Sequence, residues 1–128
     1  MPDSAKPVLL VDDDTQVLES LAVLLELHGY PVATASDGEK ALDLMRSGVH
    51  PCLIVLDLMM PNKDGYQFRE EQTQDQAIAD IPVVVCSAIL DVEGATEGLG
   101  AEHYLSKPVD ISALLALVDK YCPTDARA

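Results

Sequence analysis

Asp12 and Asp13 close an apolar run, Val8-Leu9-Leu10-Val11, and Asp57 closes a second, Leu53-Ile54-Val55-Leu56. A third run, Val83-Val84-Val85-Cys86, ends in Ser87, and a short fourth, His103-Tyr104-Leu105-Ser106, ends in Lys107-Pro108. If these runs are neighbouring parallel strands, three carboxylates, a hydroxyl and an ammonium group share one edge of one sheet. Three close carboxylates repel and do not all ionise cheaply without a cation. Mg²⁺ takes oxygen ligands and commonly bridges one or two carboxylates to a phosphate. An aspartate carboxylate is a nucleophile for phosphoryl groups and gives an aspartyl phosphate. A lysine ammonium supplies a compact charge for the oxygens in transit. The set points to phosphoryl transfer onto an aspartate, assisted by a divalent metal.

The elements between these residues must bring them together. Apolar runs alternate with stretches of helical period, which predicts βαβ units and a parallel sheet. The runs lack a period of two, as expected for strands covered on both faces. Strands are expected at about Pro7–Val11, Pro31–Ala35, Cys52–Asp57, Ile81–Ser87 and His103–Ser106. A helix from about Thr15 to His28, with Asp14 as its expected cap, carries Leu18, Leu21, Ala22 and Leu25 at i, i+3, i+4 and i+7. Ser36-Asp37-Gly38-Glu39 has capping-box spacing and opens a second helix, with Ala41, Leu42 and Met45 inward. The third helix, after Gly65, reads weakly, because Arg69 to Gln76 is wholly polar. The stretch between Asp91 and Leu99 is the expected place of a further helix, although Gly94 and Gly98 each cost about 1 kcal/mol there against Ala. The last helix starts after Asp110, with Ile111, Leu114, Leu115 and Val118 as its apolar face. In doubly wound folds ligands bind outside the carboxyl ends of the strands, where Asp12, Asp13, Asp57, Ser87 and Lys107 all fall.

Composition narrows the partners. At 128 residues and 48% hydrophobic, the chain has the size of one packed domain. Its formal net charge of −14 disfavours direct binding to nucleic acid or to an anionic membrane. Met1 to Pro7 carries no apolar signal region, so a cytoplasmic protein is expected. The three cysteines show no C-x-x-C pair, and a structural zinc site is not expected. Cys52 and Cys86 read as small core residues and Cys122 as a more exposed one.

Taken together, Val-Asp-Asp at 11–13, Leu-Asp-Leu-Met-Met-Pro at 56–61 with Asp64-Gly65, Ser87-Ala88 and Tyr-Leu-Ser-Lys-Pro at 104–108 resemble a response-regulator receiver domain, the phosphoacceptor module of two-component signalling. The likeness runs from about Pro7 to Tyr121. It implies an α/β, doubly wound (βα)5 flavodoxin-like domain with a five-stranded parallel sheet in the order 2-1-3-4-5. That domain would occupy 7–122, after an N-terminal extension at 1–6 and before a tail or linker at 123–128. It further implies that Asp57 takes a phosphoryl group from a phosphohistidine of a histidine kinase or phosphotransfer protein. Asp12, Asp13, Asp57 and the backbone carbonyl of Met59 would hold Mg²⁺ or Mn²⁺. Lys107 would contact the phosphoryl group, with a cis peptide before Pro108. Ser87 and Tyr104 would act as the switch, reshaping the face of the 91–99 stretch, the fifth strand and the last helix toward an unknown output partner. The spacing from Ser87 to Lys107 is slightly shorter than is usual in the family, and the deficit falls on the glycine-bearing stretch.

Two other functions compete. A phosphohydrolase of the haloacid-dehalogenase type would use Asp57 as nucleophile, but it carries a second aspartate two positions on, where this chain has Met59. A receiver-like module that no longer switches is opposed by the presence of Asp57 and Lys107, while the shortened, glycine-bearing 91–99 stretch keeps it open.

Overall fold

In the computed structural model, which describes residues 6–57, 65–87, 103–106 and 109–122, the apolar runs are strands. β1 (Val8–Val11), β2 (Val32–Ala35), β3 (Leu53–Leu56), β4 (Val83–Ser87) and β5 (His103–Ser106) form one parallel sheet. Its order is β2-β1-β3-β4-β5, the doubly wound order expected. Four helices accompany it among the described residues: α1 (Thr15–Leu27), α2 (Gly38–Arg46), α3 (Gly65–Gln74) and α4 (Ile111–Tyr121). The helix expected between Asp91 and Leu99 lies outside the described residues.

The central strands lack a polar phase because both of their faces are covered. Leu9, Val11, Ile54, Leu56, Val83 and Val85 pack on one side with Ala41, Leu42 and Met45 of α2 and Phe68 of α3. Val8, Leu10, Leu53, Val55 and Val84 pack on the other with Leu18 and Leu25 of α1 and Leu114 and Val118 of α4. All four residues of β1 and of β3 are buried. Each fully buried Val or Leu contributes roughly 1.5–3 kcal/mol relative to exposure, so the central strands are the firmest part of the scaffold. On α4 the apolar face is narrower than expected, since Ile111 is 39% exposed while Leu114 and Val118 are fully buried.

Local chemistry sets the helix ends. Asp14 caps α1 by accepting from the N–H groups of Gln16 and Val17, and Asp110 caps α4 by accepting from Ala113 N–H. For α2 the cap is Asp37, which accepts from Lys40 N–H, rather than Ser36. Ser36 Oγ instead accepts from Lys40 Nζ at 2.9 Å. The acidic side chain one residue later is the better aimed acceptor. After α1, Tyr30 N–H bonds to Leu25 O and Gly29 N–H to Glu26 O, the Schellman pattern. That pattern needs a left-handed residue, and Gly29 has φ +91°.

Two features depart from the sequence reading. α3 buries polar residues: Gln72 is fully buried and Arg69 is 8% exposed. Arg69 Nη1 donates to Gln72 Oε1 at 2.8 Å, and Gln72 Nε2 donates to the carbonyls of Ile78 and Ile81 at 2.9 and 3.0 Å. The helix lacks an apolar repeat because its inner face ties down the backbone leading into β4. Second, Cys122 is buried, not exposed, and is disulfide-bonded to Cys52, with Cα atoms 5.5 Å apart. Cys52 is therefore half of a cross-link rather than a plain core residue. Cys86 is buried, as expected, and takes no part in the disulfide.

Candidate functional site

The register of the central strands builds the site. Val11 pairs with Leu56, so the residues that follow, Asp12 and Asp57, leave the sheet side by side. Asp57 N–H donates to Val11 O at 2.9 Å, which extends the ladder by one step and holds the two backbones together. Asp12 N–H donates to Ala35 O at 3.1 Å on the other flank. Asp12 Oδ1 accepts from Asp14 N–H at 2.9 Å, which aims its carboxylate before α1 begins. Asp14 was expected only as a helix cap. The run of three aspartates was the available sign that its backbone also orients Asp12.

Carboxylate oxygens of Asp12, Asp13 and Asp57, one from each, lie within 4.8 Å of one another. Asp12 and Asp57 are 7% and 6% exposed, whereas Asp13 faces solvent. Beneath them is a void of about 20 Å³ whose lining includes Leu18, Val55, Cys86 and Val109. An apolar floor keeps the local dielectric low and strengthens the repulsion between the two buried acids. A hard divalent cation relieves that repulsion, and an all-oxygen set with one ligand open to water suits Mg²⁺ better than a thiophilic metal. The donor set therefore fits the expected ion.

The other expected site residues fall as follows. Leu56 pairs with Val85, so Asp57 stands level with Cys86, and Ser87 begins one residue further out. The Ser87 backbone pairs with Ser106 of β5, the residue before Lys107. Tyr104 is half-buried and packs against the core layer shared with α2 and α3. Lys107, Met59 and Pro108, with the expected cis peptide, lie outside the described residues. The structure thus gathers the three acids and sets Ser87 on the adjoining strand.

Comparisons with known proteins agree with this geometry. The response regulator receiver domain family matches residues 8–119. The chain is 37% identical over 113 residues to the DNA-binding dual master transcriptional regulator RpaA of Synechocystis sp., covering 87% of this chain and 46% of that protein. It is 42% identical over 113 residues to the response regulator MprA of Mycolicibacterium vanbaalenii, covering 85% of this chain and 47% of that protein. The chain therefore spans about half the length of the curated relatives it matches. Among solved structures, the response regulator receiver protein from Pseudomonas putida superposes with a TM-score of 0.82 at 32% identity, covering 91% of this chain and 98% of that one. Register, acid cluster and family match converge: the chain belongs to the response regulator receiver domains.

Proposed function

We propose that Asp57 accepts a phosphoryl group from a phosphohistidine of a partner histidine kinase or phosphotransfer protein. The observation that carries this reading is the cluster of Asp12, Asp13 and Asp57 oxygens within 4.8 Å at the carboxyl ends of β1 and β3. An Asp57 carboxylate oxygen forms the new bond to phosphorus. The bond from phosphorus to the imidazole nitrogen breaks, and its electron pair stays on the ring. Hydrolysis of the resulting acyl phosphate returns Asp57 and releases inorganic phosphate, so the chain resets without turning over an external substrate.

Asp12 and Asp13, with Asp57 and the Met59 carbonyl, would hold Mg²⁺ or Mn²⁺. The bound ion supplies positive charge against the phosphoryl oxygens, which the acid cluster alone would repel. Lys107 adds a second positive charge at the same oxygens. The added negative charge and acceptor oxygens then draw in the Ser87 hydroxyl, with Tyr104 following. The consequence reaches the face of β5, α4 and the 91–99 stretch, where an output partner docks. The domain is taken as 7–122 and the compartment as the cytoplasm. No helix among the described residues is long and apolar enough to cross a membrane.

Intact mass after incubation with a phosphorylated histidine phosphotransfer protein, and separately with acetyl phosphate, tests the reading. A Mg²⁺-dependent, hydroxylamine-labile gain of one phosphoryl group, absent in Asp57→Asn, is expected. Labelling that persists in Asp57→Asn excludes Asp57 as the acceptor.

A further inference from the structure

The mechanism leaves one chemical group unused, the disulfide at the opposite end of the sheet. Cys52 enters β3 and Cys122 is the C-cap of α4, 70 positions later in the chain. The two cysteines differ in exposure. Cys122 is 5% exposed. Cys52 is half-buried and lines an open cleft of about 480 Å³, together with Lys6, His50, Asp80 and Tyr121. A thiolate attacks a disulfide along the sulfur–sulfur axis and needs an open approach to one sulfur. Among the described residues that line this cleft, Cys52 is present and Cys122 is not.

The reduced state also has a place to go. Cys52 Sγ lies 3.3 Å from the carbonyl oxygen of Lys6 and 3.5 Å from that of Pro7. As a thiol it would have acceptors already in position. Nor does α4 depend on the cross-link alone. Tyr30 Oη donates to Asp119 Oδ1 at 2.9 Å, and His103 Nε2 is within hydrogen-bonding distance of Tyr121 Oη at 3.1 Å. Leu114 and Val118 stay buried against the sheet. Opening the bond therefore loosens the last turn of α4 without releasing the helix.

We propose that Cys52–Cys122 is a reversible thiol–disulfide exchange site, entered at Cys52 by a low-molecular-weight thiol, whose state sets how firmly the C-terminal end of α4 is held. In the first step the incoming thiolate bonds to Cys52 Sγ. The Sγ–Sγ bond breaks, and its electron pair leaves on Cys122, which takes a proton from water and becomes a buried thiol. A second thiolate then attacks the sulfur of the small molecule and frees Cys52, which is protonated in turn. In sum, the protein disulfide gains two electrons and two protons, and two small thiols become one disulfide. The reverse reaction uses that small disulfide as oxidant.

The test is a redox titration of the full chain in buffers of graded reduced-to-oxidised glutathione, quenched with iodoacetamide and read by intact mass and peptide mapping. The pair is expected to pass from bonded to doubly alkylated in one two-electron step, with Cys86 unmodified throughout. Amide exchange at 119–122 is expected to quicken by about tenfold on reduction, with the circular-dichroism signal of the folded chain retained. In Cys122→Ser the glutathione adduct forms on Cys52, and in Cys52→Ser none forms on Cys122. The proposal is overturned if both cysteines remain alkylatable at every ratio. It is equally overturned if the bond opens only when Cys86 becomes alkylatable, or if Cys122 takes the adduct.

Discussion

The two ends of one sheet are built on opposite principles. At the carboxyl ends of the strands, Asp12, Asp13 and Asp57 bring like charges within 4.8 Å, two of them buried. They are held there by strand register and backbone hydrogen bonds. At the amino ends, the Cys52–Cys122 cross-link, the Tyr30–Asp119 hydrogen bond and the His103–Tyr121 contact join α4 to three different strand entries. The first end gathers carboxylates, and in the proposed function a cation and a phosphoryl group complete it from outside. The second supplies its own partners. Rigidity gathered at one end lets the other carry unfavourable electrostatics, as binding sites in marginally stable domains must.

The largest effect should come from neutralising the acidic end. Asp57→Asn is expected to remove phosphoryl labelling altogether while raising the urea midpoint slightly, because the amide no longer repels Asp12. The disulfide should be untouched, as peptide mapping would check. A variant that lost both labelling and the cooperative transition would show that the two ends are not independent.

Opening the amino end should leave labelling largely intact and lower stability instead. A cross-link spanning 70 positions restricts the unfolded chain by about 4 kcal/mol in the loop-entropy account. Reduction, or Cys122→Ser, is therefore expected to lower the unfolding free energy by about that amount in urea melts. A change under about 1 kcal/mol would mean that the unfolded state gains little freedom when the bond opens.

The acidic end was more legible in the sequence than the disulfide end. Its residues follow continuous apolar runs, so each run and its polar boundary announce them. Parallel pairing then does the rest, since Val11 opposite Leu56 forces Asp12 beside Asp57. Cys52 and Cys122 carry no such signal, because their spacing reflects the whole course of the chain and not a local repeat. Lone cysteines in apolar surroundings read as core, and Cys122 read as exposed because it sits near the chain end. α3 was obscure for a related reason. Its inward residues satisfy backbone carbonyls rather than bury apolar surface, and periodicity registers only the latter. Capping was partly legible: Asp14 and Asp110 were read correctly, whereas adjacent Ser36 and Asp37 both fit the rule and geometry chose Asp37.

The α3 contact yields the next prediction. Gln72→Leu keeps the volume but leaves the Ile78 and Ile81 carbonyls without the amide donor that now serves both. Buried acceptors stripped of a donor cost about 1–3 kcal/mol each at most, and some relaxation toward solvent is available in the 75–82 turn. A loss of about 2–3 kcal/mol in the urea transition is expected, with the acid cluster unaffected. By contrast, Arg46→Ala removes ion pairs to Glu71 and Asp75 that are 3.6 and 3.9 Å long and partly exposed. Such pairs contribute little, so this variant is the matched control on the same helix pair.

The finest test separates the covalent and non-covalent ties of α4. Tyr30 is 2% exposed, and its hydroxyl reaches Asp119, one turn before Cys122. Tyr30→Phe keeps the buried ring and removes the hydroxyl, while the exposed Asp119 carboxylate can turn to water. The cost should be about 1 kcal/mol. Because Asp119 and Cys122 share the last turn of α4, the two ties should not be additive. With the disulfide closed, the turn is held whether or not the hydroxyl is present, so Tyr30→Phe should barely change amide exchange at 119–122. With the disulfide reduced, the hydroxyl becomes the main restraint near that turn, and the same substitution should quicken exchange there severalfold. Equal effects in both redox states would mean that the hydrogen bond and the cross-link restrain different motions, and the amino end would then be two separate devices rather than one.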